Sequence, residues 1–298
     1  MKDQGEEPPD PLGETRQIES PAEPTTPEKP LTGRPVKVAV TAGLILAALA
    51  VGMLILGPTP FFVFAALMIL LAQGEFYAAV KRAGYDPALA LGVVSGSVLL
   101  FGAYFRGEPA ISLIVFLTLL FTFIWYMAGE QKGSLVGSIS VTMLGVAYVP
   151  LLGVFAALML RRPQDGRGII LVTIGVVAIY DILAYAGGSR FGRHVMAPKI
   201  SPNKTWEGVG IATVGILLLG TFVAPVLGPW NFQQAFVFAA LMCVTAPVGD
   251  LIESMIKRDL GIKDMGMIIP GHGGALDRLD SILFSAPAAY LSLVVFGL

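Results

Sequence analysis

The chain is poor in the residues that keep a protein in water. Only 14% of its 298 residues are charged, against 55% hydrophobic, where a soluble domain carries closer to about a quarter charged. That shortage excludes an ordinary soluble globular enzyme and leaves a polytopic membrane protein. Cysteine is nearly absent. The one present, Cys243, lies in an apolar stretch, so an internal disulfide framework and a cysteine-rich zinc site are both excluded, and it reads as a small buried hydrophobe. Histidine occurs twice, at His194 and His272. No G-x-x-x-x-G-K-[ST] stretch occurs, which argues against a P-loop nucleotidase. No internal repeat and no separate soluble domain stands out.

The apolar residues come in nine runs, approximately 36–56, 60–80, 87–105, 109–129, 135–160, 168–188, 207–228, 232–252 and 279–298. Each is near the roughly 20 residues that a helix needs to cross a bilayer core about 30 Å thick. Turn-forming stretches such as "GPTP" (57–60), "GYDP" (84–87), "RGEP" (106–109) and "GPWN" (228–231) separate them. The fifth run is long, and a tilt or kink is expected near Pro150. The predicted fold is an all-α, polytopic integral membrane protein of about nine transmembrane helices, occupying 35–298. Residues 1–34 are rich in Pro and Glu with almost no large apolar side chains. They are expected to be a disordered acidic tail, and they lack the basic region and adjoining apolar core of a signal peptide.

The net charge of −1 hides a split: residues 1–37 hold eight acids and five bases, and the remainder 13 and 15. With the N-terminus in the cytoplasm, cytoplasmic loops receive eleven Lys and Arg, and the opposite face four, Arg106, Arg161, Arg162 and Arg167. The "RRPQDGR" loop argues locally against that orientation, and the total favours it. The two longest inter-helix loops, 189–206 and 253–278, then face the cytoplasm, within reach of a charged nucleotide.

Acids inside or at the ends of spans are costly and mark function by default. Four qualify: Glu75, Asp181, Asp250 and Glu253. Were the eighth helix to continue past Asp250, then Asp250, Ser254 and Lys257 would share a face at i, i+4, i+7. Asp277 opens the ninth span, and Asp280 follows at i+3. Two membrane-edge helices can thus each bring a carboxylate, Asp250 and Asp277, to one point. Hard oxygen ligands without cysteine suit Mg²⁺ rather than Zn²⁺. Between these acids runs "PGHGGALDR", where Gly273 and Gly274 allow a tight backbone whose amides converge on an anion. Lys257, Arg258, Lys263 and Arg278 supply positive charge for phosphates. For His272 three roles stay open: general base, phosphate donor or structural hydrogen-bonder. The other loop, "GGSRFGRHVMAPKISPNKTWEG", is basic through Arg190, Arg193, Lys199 and Lys204. Ser201, Asn203 and Thr205 add short hydrogen-bonding groups there. Thr205 reads as a helix N-cap, placing a phosphate-favouring helix start at the same polar space.

The stretch "SMIKRDLGIKDMGMIIPGHGGALDRLDS" (254–281) resembles the signature of the phosphatidate cytidylyltransferases, or CDP-diacylglycerol synthases. Ser254, Lys257, Arg258, Lys263, Asp264, Pro270, His272, Gly273, Gly274, Asp277, Arg278 and Asp280 fall in register with it. The stretch "YDILAYAGGSRFGRHVMAPKISPNKTWEG" (180–208) is similar to the family's second hallmark. Ala275 stands where the family has a larger aliphatic residue, and Asn203 where lysine is common. The hallmarks cover roughly the last 120 residues. The resemblance implies conversion of CTP and phosphatidate to CDP-diacylglycerol and pyrophosphate. It also implies a divalent cation on Asp250 and Asp277, potassium as a second cation, and a homodimer. On this reading Lys257, Arg258 and Arg278 assist pyrophosphate departure, Ser201, Lys204 and Thr205 clamp a phosphate, and Asp181 supports the cation site. Rival readings are a cation-coupled transporter, a relative acting on another lipid phosphate or alcohol, and a non-catalytic scaffold. None of the rivals except the enzyme relative explains the ordered Lys-Arg, Lys-Asp and His-Gly-Gly pattern.

Overall fold

A computed structural model describes residues 36–129, 134–266 and 273–298. The acidic tail, Lys132, Pro270 and His272 lie outside the described residues. Within them the chain forms ten α-helices and one two-stranded hairpin. These are α1 (Val36–Leu56), α2 (Pro58–Arg82), α3 (Leu89–Arg106), α4 (Glu108–Ala128), α5 (Leu135–Tyr148), α6 (Pro150–Leu160), α7 (Gly166–Phe191), β1 (Val195–Ala197), β2 (Ser201–Thr205), α8 (Trp206–Leu227), α9 (Phe232–Asp259) and α10 (Leu276–Val295). Helices α5 and α6 together make one crossing. Among the described residues eight spans are long and apolar enough to cross a membrane, against about nine expected; the run expected at 36–56 forms α1, whose apolar stretch Gly43–Leu56 is shorter than a span. The protein is therefore a multi-pass membrane protein.

Helix boundaries follow local chemistry. Gly57 and Gly107 both have positive φ, 138° and 83°, and each is followed by proline in the first turn of the next helix. Pro150 lacks an N–H and separates α5 from α6 at Val149. Asn231 and Gln234 form a reciprocal capping box at the start of α9. The helices α4 and α8 turn many large apolar side chains outward, among them Phe116, Phe123, Leu218 and Phe222. The inward stripe of α4 is instead polar: Thr118, Thr122 and Tyr126 are buried, and the Tyr126 hydroxyl hydrogen-bonds to Asp86 O at 2.7 Å. Apolar residues toward lipid and hydrogen-bonding ones toward the bundle are what a bilayer solvent selects. The Gly92 and Gly96 pair on α3 receives the Tyr77 and Gln73 side chains of α2.

The structure departs from the expected spans in three places that bear on function. Helix α9 runs seven residues further than the apolar run, to Asp259. Helix α10 begins at Leu276, so Asp277 falls in its first turn. The 189–206 loop is not irregular throughout, because β1 and β2 pair antiparallel with Val195 opposite Thr205 and Ala197 opposite Ser201. The bundle's tightest packing joins α7 with α8 and α9 with α10, and these helices carry the site.

Candidate active site

The extension of α9 places Asp250, Glu253 and Lys257 on one face at i, i+3, i+7. That face meets the start of α10 along a close seam. A Cβ on Gly249 would sit 2.5 Å from the Asp280 carbonyl oxygen, so only glycine lets the two backbones approach this nearly. Across the seam the Lys257 ammonium lies 2.7 Å from Glu253 Oε2 and 2.8 Å from Asp277 Oδ1. Asp277 is held on its other oxygen too: Oδ2 accepts from the backbone N–H groups of Met265 at 3.1 Å and Gly274 at 2.7 Å.

The glycine pair has a steric reason. Gly273 adopts φ of +87°, and a Cβ there would come 2.9 Å from Asp277 Oδ2. A Cβ on Gly274 would come 2.3 Å from Glu75 Oε2. Glu75, buried in α2, accepts at that same oxygen from the Leu276 N–H at 3.0 Å, at the start of α10. The Gly274 amide, expected from the sequence to face an anion, is turned onto the protein's own Asp277. The two glycines thus make room for two carboxylates that pin the start of α10.

The hairpin comes in from the other side. Lys204 on β2 pairs with Asp250 Oδ2 at 2.6 Å, and the Ser254 hydroxyl lies 3.4 Å from Asp250 Oδ1. Arg258 donates from Nε to the Ile200 carbonyl at 3.2 Å, fastening the hairpin turn to α9. Thr205 caps α8, its hydroxyl accepting from the Gly208 N–H at 3.3 Å. Glu207 pins the hairpin's root, pairing with His194 at 2.6 Å and accepting from the Arg193 N–H at 3.0 Å. Ser201 is half-buried in β2, and Asn203 is exposed. Lys263 is exposed on the loop after α9, and Asp264 lies under Gly273, 3.7 Å from where its Cβ would be. Arg278 is exposed one residue from Asp277. Asp181, on α7, is solvent-accessible and lies within the fields of Asp280, Asp250 and Lys204.

Four carboxylates on α9 and α10 therefore crowd together: Asp250, Glu253, Asp277 and Asp280. Lys204 and Lys257 reach into this cluster, Lys204 onto Asp250 and Lys257 onto Glu253 and Asp277. Asp280 accepts from the Ser281 N–H at 2.7 Å and interacts electrostatically with Asp250. Glu253 is fully buried, and its Oε1 has no hydrogen-bond partner among the described residues. A cluster of acids like this favours a further positive charge. The oxygen-only donor set fits Mg²⁺, and Asp250, with its side chain 33% exposed, is open to it. Among the described residues no three acid, histidine or cysteine side chains converge as a ready-made metal cage. That suits an ion that takes one or two carboxylates and completes its shell with water and substrate phosphate oxygens.

Three contributors were absent from the sequence-derived site. Glu253 stood out as an acid but carried no role. Its place against Lys257 and Asp277 becomes visible only once α9 extends. Glu75 braces the α10 start from a helix some 200 residues earlier in the chain, for which no local motif exists. Tyr148, at the break before Pro150, is 5% exposed, and its hydroxyl has no partner among the described residues. It lies in the combined field of Glu253, Asp280, Asp250 and Asp277.

Comparison with known proteins places this arrangement in context. The model of the Cytidylyltransferase family matches residues 37–296. The chain is 33% identical over 292 residues to the phosphatidate cytidylyltransferase of Mycobacterium leprae, covering 91% of each. It is 34% identical to that of Mycobacterium tuberculosis H37Rv, covering 88% of this chain and 84% of the relative. It is 32% identical to that of Synechocystis, covering 86% and 96%.

Proposed function

Because the chain belongs to the cytidylyltransferase family, we propose that it transfers the cytidylyl group of CTP to phosphatidate, giving CDP-diacylglycerol and pyrophosphate for phospholipid synthesis. The observation that carries this reading is the meeting of α9 and α10 around Lys257, with Glu253 and Asp277 at 2.7 and 2.8 Å, inside the 254–281 stretch.

A phosphate oxygen of phosphatidate attacks the α-phosphorus of CTP in line. The bond from that phosphorus to the bridging oxygen breaks, and pyrophosphate takes the electron pair. The nucleophile is already an anion, so the chain's task is to position reactants and offset charge. Asp250 and Asp277 would hold a divalent cation, Mg²⁺, with Asp181 supporting the cation site from α7 and potassium as a second cation. The bound ion supplies charge compensation for the triphosphate oxygens as they are displaced. Lys257 holds Asp277 and Glu253 facing one another, and Lys204 occupies Asp250 Oδ2, where an arriving cation must displace it. Arg258 and Lys263, at the rim where α9 ends, meet the leaving pyrophosphate. Ser201 and Asn203 on β2 lie beside Lys204, where they can contact a phosphate; Thr205 fixes β2 to α8. The site faces the cytoplasm on the distribution of basic residues, and the enzyme works as a homodimer.

The test uses purified protein in detergent with CTP labelled at the α-phosphate, phosphatidate and Mg²⁺. Label should move into the lipid phase with stoichiometric pyrophosphate release. Pyrophosphate release without phosphatidate, or none with it, overturns the assignment.

A further inference from the structure

The bundle contains a cavity that the chemistry above does not use. It has a volume of about 320 Å³ and lies between α1, α2, α6, α7 and α10. Its lining is apolar apart from Thr173 and Arg278. The Thr173 hydroxyl is satisfied by its own helix, donating to Ile169 O at 2.8 Å. Arg278 is thus the one charged side chain on the wall among the described residues.

Helix α10 separates this cavity from the acids. Asp277 and Asp280 look toward α9, whereas Arg278, Leu279, Ile282, Leu283 and Ala286 line the cavity. From Arg278 to Ala286 the helix rises about 12 Å, the length of a substantial piece of an extended hydrocarbon chain. The charged end of the cavity is one residue from Asp277, and the apolar end runs into the bundle. Ala47 and Ala178 on its wall are both exposed, so it opens sideways to the lipid phase. A dry apolar slot open to a bilayer fills with hydrocarbon rather than water. An apolar slot with one guanidinium at its end complements a phosphorylated lipid, the hydrocarbon in the slot and the anionic head at Arg278.

We propose that this cavity holds an acyl chain of the lipid substrate, with Arg278 at its mouth receiving the lipid phosphate beside Asp277. The proposal rests on the reading of the enzyme given above and names where its lipid sits. It moves Arg278 from the leaving pyrophosphate, where sequence reasoning put it, to the nucleophile. Ala275, a small residue 2% exposed, forms part of the cavity wall near Arg278. A bulkier side chain would narrow the slot where the chain enters.

The experiment places bulk in the slot and compares chain lengths. Full-length Ala156→Phe protein is assayed with CTP and either dioctanoyl or dipalmitoyl phosphatidate. The ratio of kcat/KM for the long lipid to that for the short one should fall about tenfold, the equivalent of losing roughly two methylenes of apolar contact. KM for CTP should not follow it. Ala178→Phe, at the exposed edge of the slot, carries the same test without crowding the interior and decides the matter where Ala156→Phe lowers the thermal midpoint. Equal effects on both lipids in Ala178→Phe, whether large or nil, overturn the proposal, as does a change confined to CTP. Wild-type protein that turns over neither lipid would instead sink the assigned reaction, so the two failures are distinguishable.

Discussion

Lys257 on α9 binds Asp277 on α10 at 2.8 Å while holding Glu253 of its own helix at 2.7 Å. One ammonium thus spans the seam at which the two site helices meet, and most of its side chain is out of water. Removing it leaves two facing carboxylates in a poorly solvated place.

Lys257→Met should therefore destabilise the bundle by about 3–5 kcal/mol, the usual consequence of orphaning a buried ion-pair partner, and abolish transfer. Adding Glu253→Gln should restore much of the thermal midpoint without restoring turnover. Thermal denaturation in detergent alongside the label-transfer assay separates the two effects. A double variant as unstable as the single one would contradict the shared-ammonium account.

Asp277→Asn keeps the size of the side chain but removes the charge. Cytidylyl transfer should fall at least about 100-fold, in line with loss of a group that organises charge at a reacting centre. Elution as a single species in detergent should persist. Near-normal turnover would remove Asp277 from the chemistry.

Gly274→Ala tests the carboxylate packing. The added Cβ would meet Glu75 Oε2 at 2.3 Å, so the α10 start must shift, at a cost of about 1–3 kcal/mol. Pairing it with Glu75→Ala removes the side-chain part of the clash but leaves the Gly266 backbone N–H 2.8 Å from the new Cβ, so the thermal midpoint should recover only partly relative to Gly274→Ala alone. A single variant with wild-type midpoint would show that the cradle is not tight.

Metal dependence should be absolute for turnover: chelation stops transfer, and Mg²⁺ restores it. Lys204 sits 2.6 Å from Asp250 Oδ2 and competes there with any cation. Lys204→Met should lower the half-saturating Mg²⁺ concentration several-fold, because the carboxylate gains negative field, and raise KM for CTP. Titration of initial rates against Mg²⁺ at fixed CTP checks the direction. An increase in the Mg²⁺ requirement would mean that Lys204 orients Asp250 for the ion instead of competing with it.

The spans were legible in the sequence because apolar length and the punctuation of Gly and Pro are local. Pro150 broke the fifth run where expected, yet Pro247 and Pro287 sit inside α9 and α10 without ending them, since a neighbouring helix can satisfy what proline leaves open. The extension of α9 over 253–259 was legible only as a condition: charged residues there end the hydropathy signal without ending the helix. The hairpin was not legible, because Val-Met-Ala is too short to show a pattern and Ser-Pro-Asn-Lys-Thr carries no alternating one. The acids Asp250 and Asp277 could be read from spacing and resemblance. Glu75 stood out as a costly acid within a span, but its role could not be read, since its partner Leu276 is fixed by tertiary packing alone.

The contact between Gly249 and the Asp280 carbonyl turns the α9–α10 seam into a caliper with fixed jaws. Backbones in direct touch have no side chains to compress, so the acids on either side keep their separation whatever ion arrives. Adjustment to ions of different radius then falls to the mobile ligands, water and the triphosphate itself. On the proposed mechanism, metal preference would then be a joint property of the protein and its nucleotide, decided only when both are in place.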